Sequence, residues 1–298
     1  MTRLVYWLKE IRAPFLSLSV VLVFLGTAVA VGDHPVHLGR AFLAVIGLIL
    51  LHVSVNVLNE YGDYHSGVDF HTSPTPFSGG SGMLTGGFIE PSHARSVGYL
   101  CFLVSFVIGI YFVWVTNLLI LPLLLVGAFS VYSYTSFLAR HALGEIFAGL
   151  GLGLLPVLGA YFVQTGEYGA SAFAASVAAG ILTFNLLLIN EFPDLEADIR
   201  GGRKNLVMTL GLKPAGRLYS FLMAAMYVWI VVCVASGLIP LFGLLSVLTL
   251  PIAWKPMRWA WSRVGSKDAL VPALGANVTT NLGTQALLGI GFILSTFL

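Results

Sequence analysis

The sequence predicts an all-α, polytopic membrane protein whose nine transmembrane helices form a single domain over residues 1–298. Three observations predict it. Hydrophobic residues make up 57% of the chain and charged residues only 9%, giving a mean hydropathy of +0.91. Apolar runs of about 17–25 residues, the length that crosses a bilayer, follow one another along the chain. The basic residues then fall almost entirely on one of the two faces that these runs define.

The spans fall at residues 14–32, 41–59, 97–116, 118–137, 143–163, 171–191, 216–236, 239–254 and 272–297. Arg3, Lys9 and Arg12 precede the first, and Ala28-Val29-Ala30 ends it, a pattern that also fits a cleaved signal peptide. Its apolar stretch is longer than such signals carry, and Pro14 suits the first turn of a retained helix. Tight hairpins are expected at Thr116-Asn117 and between Gly237 and Pro240. Gly149 and Gly153 predict close helix packing within the fifth span. Trp254, Trp259 and Trp261, among Lys255, Arg258 and Arg263, read as an interfacial belt. Cys101 and Cys233 lie in apolar spans without metal-ligand spacing.

Of the fifteen Lys and Arg residues, only Arg40 falls on the face opposite the N-terminus. By the positive-inside rule the N-terminus is cytoplasmic, and an odd span count puts the C-terminus outside. A multi-pass protein of the cell membrane is expected, with membrane lipid as its surroundings and no nucleic-acid partner.

Two phrases stand out on this frame. Asn59-Glu60-Tyr61-Gly62-Asp63 and Asn190-Glu191-Phe192-Pro193-Asp194 repeat nearly the same five residues 131 positions apart, each at the end of an apolar run. In a chain with 13 Asp and Glu residues, such clusters at a membrane edge mark a functional site. They end spans two and six, which run in the same direction, so both lie on the cytoplasmic face and can meet. Asn59 and Asp63 stand at i, i+4, as do Asn190, Asp194 and Asp198, so each set projects from one stripe. Gly62 and Pro193 occupy equivalent positions and weaken the helix there, predicting bent ends.

Carboxylates brought together this way repel. Two unit charges about 4 Å apart at an effective dielectric near 20 repel by roughly 4 kcal/mol, so protons or divalent cations must share the site. Oxygen ligands without Cys or His favour a hard ion such as Mg2+, which typically bridges carboxylates to a substrate di- or triphosphate. Arg200, Arg203 and Lys204 follow the second cluster and suit the remaining phosphate charge. The glycines of Ser78-Gly79-Gly80-Ser81-Gly82 offer backbone N–H groups near the same face, and the 66–94 loop is long enough to serve as a lid.

The segments Asn59 to Asp69 and Asn190 to Asp198, continuing through Gly202-Arg203-Lys204 to Leu210-Gly211, resemble the UbiA superfamily of intramembrane prenyltransferases. Among these they are most similar to the 1,4-dihydroxy-2-naphthoate prenyltransferases of menaquinone synthesis. Tyr134-Thr135 followed by Ala142-Leu143-Gly144-Glu145 is a weaker match, and the resemblance spans Arg12 to about Gly211. It implies a UbiA-like helical bundle, a prenyl diphosphate bound through Mg2+ by the two Asp-rich segments (59–69 and 190–204), and a lipid-embedded tunnel for the hydrocarbon tail. By this resemblance Asn59, Asp63, Asp194 and Asp198 are the catalytic metal ligands, with Asp69 a further metal ligand although it falls six residues after Asp63 and on the following loop. Arg12, Lys204, Arg203, Asn190 and Tyr134 are the substrate-binding residues, with Lys204 favoured over Arg200 and Arg203 because it sits at the family's Gly-Lys element. Tyr132, Tyr134 and Phe184 are expected to stabilise an allylic cation, and no general base is evident.

Each feature has a plainer reading: solvated helix ends for the Asp clusters, ordinary interfacial charge for Arg12, Arg200, Arg203 and Lys204, and a hydrogen-bonded core residue for His52. The leading function is Mg2+-dependent prenyl transfer to an aromatic acceptor. The alternatives are transfer to another acceptor, geranylgeranylglyceryl phosphate or haem, and a transporter built on a parallel repeat. Transport sites sit near the midplane at broken helices, whereas these carboxylates sit at helix ends.

Overall fold

The computed structural model describes residues 2–32, 34–72, 74–262, 264, 266 and 269–297. Asp33, Ser73, Arg263 and Lys267 lie outside them. Among the described residues every regular element is helical. A short amphipathic helix, α1 (Arg3–Glu10), leads through a 3-10 turn at Ala13–Leu16 into α2 (Ser17–Ala30). Then come α3 (Leu38–Ser66), α4 (Pro91–Val115), α5 (Leu121–Ser133), α6 (Gly144–Gly149), α7 (Leu155–Thr165) and α8 (Ala170–Arg200). The chain finishes with α9 (Leu206–Leu210), α10 (Leu212–Ala235), α11 (Leu250–Ser262) and α12 (Leu270–Leu294).

Among the described residues, seven helical segments are long and apolar enough to cross a membrane: Ala13–Ala30, Leu38–Ser66, Pro91–Val115, Gly144–Thr165, Ala170–Arg200, Leu212–Ala235 and Leu270–Phe297. The other two expected spans are helical but irregular. Leu118–Ser133 is shorter, and Leu241–Ser262 divides into a 3-10 stretch to Thr249 and α11, which carries Pro256. The chain is therefore a multi-pass helical protein, with seven of the nine expected crossings meeting the length criterion.

Helix α2 sits at the centre, packed by α7, α12, α3 and α8, while α10 and α11 close the far side of α8 and α12. Leu22, Leu25, Val157, Tyr161 and Ala175 fill the core between α2, α7 and α8. The glycines of the fifth span serve this closeness: a Cβ on Gly149 would stand 2.8 Å from Gly180 O, and one on Gly153 2.7 Å from Ala179 O. The same span is not one helix. Pro156 has no N–H to offer Leu152 and its ring crowds that carbonyl, so the backbone opens into a π-helical turn over Leu150–Leu154, with Leu152 at φ −119 and ψ 32.

Neither Gly62 nor Pro193 ends its helix. Both α3 and α8 run on, to Ser66 and Arg200, with Pro193 inside the helix. Gly62 answers a packing need instead, since a Cβ there would meet Thr135 Cγ2 at 2.3 Å. Trp259 does not join an interfacial belt either. It is 3% exposed, edge-on to Phe192 at 5.3 Å, with its indole N–H donated to Ser266 O at 3.2 Å. Trp254 and Trp261 remain exposed.

Candidate active site

A chamber of about 220 Å3 opens between α2, α3, α8 and α12, and both repeated phrases line it: Asn59, Asp63 and Asp69 from one side, Asn190, Glu191, Asp194 and Asp198 from the other. The same-direction helices of the sequence argument thus bring their carboxylates to one mouth. Among the described residues, no three His, Cys, Asp or Glu groups already stand as a closed metal cage. A cation nevertheless sits among them. Arg203 Nη2 donates to Asn59 Oδ1 at 2.6 Å and to both carboxylate oxygens of Asp63, and Arg203 Nη1 lies 3.8 Å from Asp198 Oδ1. Burial opposes the charge of this guanidinium, but Asp63 and then Asp198 hold its pKa above the ordinary arginine value.

The ligand oxygens are individually aimed. Asn59 Nδ2 donates to Asp63 Oδ2 at 2.9 Å. Asn205 Nδ2 donates to Asp198 Oδ2 at 3.0 Å and to Glu191 Oε2 at 2.8 Å, while its carbonyl oxygen accepts Met208 N–H and caps α9. Asp194 Oδ2 accepts Gly79 N–H at 3.1 Å, and its Oδ1 is buried without a partner. Asp69 follows in a 3-10 turn after Gly67. Its carboxyl is pushed up to about 8, first by burial and then by Glu60 and Asp63, with Arg12 and Arg203 pulling the other way. An all-oxygen set containing an unpartnered buried oxygen, centred on an arginine, fits a hard divalent cation.

Three expectations are corrected. Lys204 is exposed and does not line the chamber, whereas Arg203 does. Lys204 N–H donates to Ala139 O and Ala142 N–H donates to Lys204 O. This short extended pairing alternates side chains, turning Arg203 in, Lys204 out and Asn205 in. Arg200 is exposed as well. Tyr132 is 70% exposed, and Phe184 packs beside Gly149 rather than lining the chamber. The aromatic wall consists of Phe15, Phe77, Tyr134 and Phe147. Finally, the glycine-rich loop does not leave all its N–H groups free, because Gly79 serves Asp194 and Ser81 N–H donates to Glu60 Oε2 at 2.8 Å.

Glu60, Glu10 and Glu145 also belong to the site, although nothing in the sequence assigned them a role there. Glu60 is 1% exposed, and its Oε1 accepts Arg12 Nε at 3.1 Å and Arg12 Nη2 at 2.7 Å. Arg12 also donates to Gly79 O and sits in the left-handed region at φ 52, a strained position for a non-glycine residue. Ser81 Oγ donates to the buried Glu10 Oε2 at 2.7 Å, so α1, Arg12 and the 67–90 loop are tied together over the mouth. Glu145 Oε1 accepts Leu206 N–H at 2.7 Å and steadies the loop that carries Arg203. The signal for Glu60 was present: Glu follows Asn in both copies of the phrase.

A second, apolar chamber of about 200 Å3 lies between α3, α4, α5 and α7. It shares Leu51, Gly127 and Gly151 with the first. Among the described residues, Ser105 is the one polar side chain that lines it, and its hydroxyl donates to Gly47 O at 2.8 Å.

Comparison with known proteins agrees with this geometry. Residues 19–281 match the UbiA prenyltransferase family model. The chain is 27% identical over 291 residues to 1,4-dihydroxy-2-naphthoate octaprenyltransferase of Bacillus subtilis (strain 168), covering 96% of this chain and 91% of that one. Its fold is similar to that of a digeranylgeranylglyceryl phosphate synthase (TM-score 0.65, 14% identity, 99% of both chains). It is also similar to that of a UbiA homologue from Archaeoglobus fulgidus bound to GPP and Mg2+ (TM-score 0.61, 17% identity, 95% of this chain and 99% of that one). With two carboxylate-bearing helix ends at one chamber and a family match over most of its length, the chain belongs to the UbiA prenyltransferase family.

Proposed function

We propose that this enzyme transfers a prenyl group from a prenyl diphosphate to an aromatic acceptor, dihydroxynaphthoate, in menaquinone synthesis. The observation that carries the reading is the juxtaposition of a carboxylate-mouthed chamber with an adjoining apolar one. The B. subtilis relative supports the naphthoate acceptor and the A. fulgidus homologue the prenyl diphosphate and Mg2+. Asn59, Asp63, Asp194 and Asp198, with Asp69 beside them, would hold Mg2+, which would neutralise the diphosphate and help it leave.

The remaining work falls to the chain. Arg203 exchanges its carboxylate partners for diphosphate oxygens, and Arg12, fixed by Glu60, offers its guanidinium on the opposite side of the mouth. Asn190 lines the chamber beside them. Phe15, Phe77, Tyr134 and Phe147 keep water from the allylic carbon and present ring faces to its developing charge. The tail passes Leu51, Gly127 and Gly151 into the apolar chamber. We place the site and the N-terminus at the cytoplasmic face of the cell membrane and the C-terminus outside, in a nine-crossing domain. Cysteines near Ser66 and Arg200 should then be labelled only from the cytoplasm, and one near Glu167 from outside. Labelling of 66 and 200 from opposite faces would overturn this topology.

The acceptor is tested with purified protein, Mg2+, a labelled prenyl diphosphate and four acceptors in parallel: dihydroxynaphthoate, 4-hydroxybenzoate, haem and geranylgeranylglyceryl phosphate. A glycerol-phosphate acceptor adds a dianion, yet the cations lining the chamber are Arg12 and Arg203, both already engaged by carboxylates. Dihydroxynaphthoate should exceed geranylgeranylglyceryl phosphate by at least about tenfold in kcat/KM, a gap of about 1.4 kcal/mol. Equal or reversed rates would reject the naphthoate assignment.

A further inference from the structure

The register of the two phrases continues below the carboxylates. On α3 the chamber is lined by His52, Asn56, Asn59 and Asp63, and on α8 by Thr183, Leu187, Asn190 and Asp194. His52 and Thr183 each precede their aspartate by eleven residues, which at 1.5 Å per residue puts both about 16 Å deeper along the helix. Asn281 reaches the same chamber from α12, eleven residues after that helix begins at Leu270.

These three side chains are buried, with exposures of 5%, 3% and 1%, and each leaves a polar atom without a partner. His52 Nδ1 pairs with Ser19 Oγ at 3.0 Å, and among the described residues its other ring nitrogen has none. Thr183 Oγ1 and Asn281 Nδ2 are unpartnered as well, although Asn281 Oδ1 accepts Gln285 Nε2 at 2.7 Å. Asn56, one turn above His52, donates its amide to Ile11 O at 3.1 Å. Buried polar atoms in a membrane interior carry a desolvation penalty unless something pairs with them. Two such atoms, Thr183 Oγ1 and Asn281 Nδ2, on the chamber that the His52 ring also lines, call for an occupant that supplies the partners.

The tail does not meet that need, because a hydrocarbon leaves every one of them unpaired and the second chamber is free of such groups. Nor does the diphosphate, since Thr183 and Asn281 carry no charge and the Arg12 and Arg203 guanidiniums that line the chamber are paired with Glu60 and Asp63. An aromatic acceptor does. Its reacting carbon must come within about 3–3.5 Å of the allylic carbon, on the side away from the diphosphate, which places its ring hydroxyls deeper in the chamber.

We propose that His52, oriented by Ser19, forms with Thr183 and Asn281 a subsite that hydrogen-bonds the ring hydroxyls of the acceptor. This rests on the aromatic prenyltransferase reading above. The Ser19 contact fixes the imidazole ring plane, and the free nitrogen accepts a phenolic O–H, which leaves more electron density on the ring carbon that attacks. Asn281 Nδ2 donates to a hydroxyl oxygen, and Thr183 can do either.

The test uses full-length His52→Phe, His52→Gln, Thr183→Val and Asn281→Leu protein in proteoliposomes. KM is measured separately for dihydroxynaphthoate and for the prenyl diphosphate, with a melting curve for each variant. His52→Phe should raise the acceptor KM by about tenfold or more and leave the donor KM within about twofold, with His52→Gln recovering part of the loss. In the wild type, a monohydroxynaphthoate should be poorer than the dihydroxy compound, and in His52→Phe that difference should shrink. An unchanged acceptor KM, or equal rises in both KM values, would make His52 a core residue and overturn the subsite. If His52→Phe does not fold, the near-isosteric Thr183→Val decides by the same split. Failure of wild-type protein to prenylate any aromatic acceptor would overturn the functional reading instead.

Discussion

Glu60→Ala should unfasten the cover of the active site. Glu60 is almost fully buried and takes three hydrogen bonds, two from Arg12 and one from Ser81 N–H. Removing one partner of a buried ion pair destabilises by about 3–5 kcal/mol because the other charge is left uncompensated. The Arg12 side chain keeps 27% of its exposure, so water takes over part of its solvation and the lower end, about 3 kcal/mol, applies. Glu60→Gln keeps an acceptor oxygen and should lose about 1–2 kcal/mol. For a chain of this size each kcal/mol moves the melting temperature by about 2 °C, so the alanine variant should melt about 6 °C lower and the glutamine variant about 2–4 °C lower. A second readout is local. Gly79 and Ser81 lose their anchors, so limited proteolysis should cut the 74–82 segment well before global unfolding. A Glu60→Ala protein that melts within 1 °C or so of wild type and resists proteolysis there would refute the idea that this ion pair fastens the loop.

Other perturbations separate the remaining parts. Asp63→Ala and Asp194→Ala should each cut prenyl transfer below about a tenth of wild type, and EDTA should abolish it with rescue by Mg2+; higher residual turnover rejects a shared site. Arg203→Ala should lose at least about tenfold in kcat/KM while Lys204→Ala stays within about twofold, and the reverse order would restore the original preference for Lys204. A Cβ on Gly127 meets no atom within 4 Å, so Gly127→Leu should fold, keep geranyl transfer and lose long-chain donors, whereas equal loss for all donors would place the tail elsewhere. Burial, then Glu60, raises the Glu10 carboxyl from 4.5 to about 7, against Ser81 and Arg12. Its contribution to stability is full below pH 4.5 and is lost as pH rises through 7, a span worth about 3 kcal/mol. Wild-type melting should therefore fall from pH 5 to 8, and Glu10→Gln should flatten that slope.

Membrane class and the placement of both carboxylate clusters were legible in the sequence, because bilayer thickness dictates the length of an apolar run and because span parity decides which helix ends share a face. Helical spacing alone puts Asn59 with Asp63, and Asn190 with Asp194 and Asp198, on shared stripes. Local pattern failed where a side chain's direction depends on a partner distant in sequence. Lys204 looked better than Arg203 until the pairing of Lys204 with Ala139 and Ala142 turned one side chain out and the other in. Gly62 read as a weak point and proved to be room for Thr135. Only the tertiary structure could show that Arg12 and Ser81 share Glu60, or that the π-turn brings Gly151 to the boundary between two chambers. Periodicity reports which face of a helix is apolar, but which polar atom meets which is settled by the packing of helices across the whole chain.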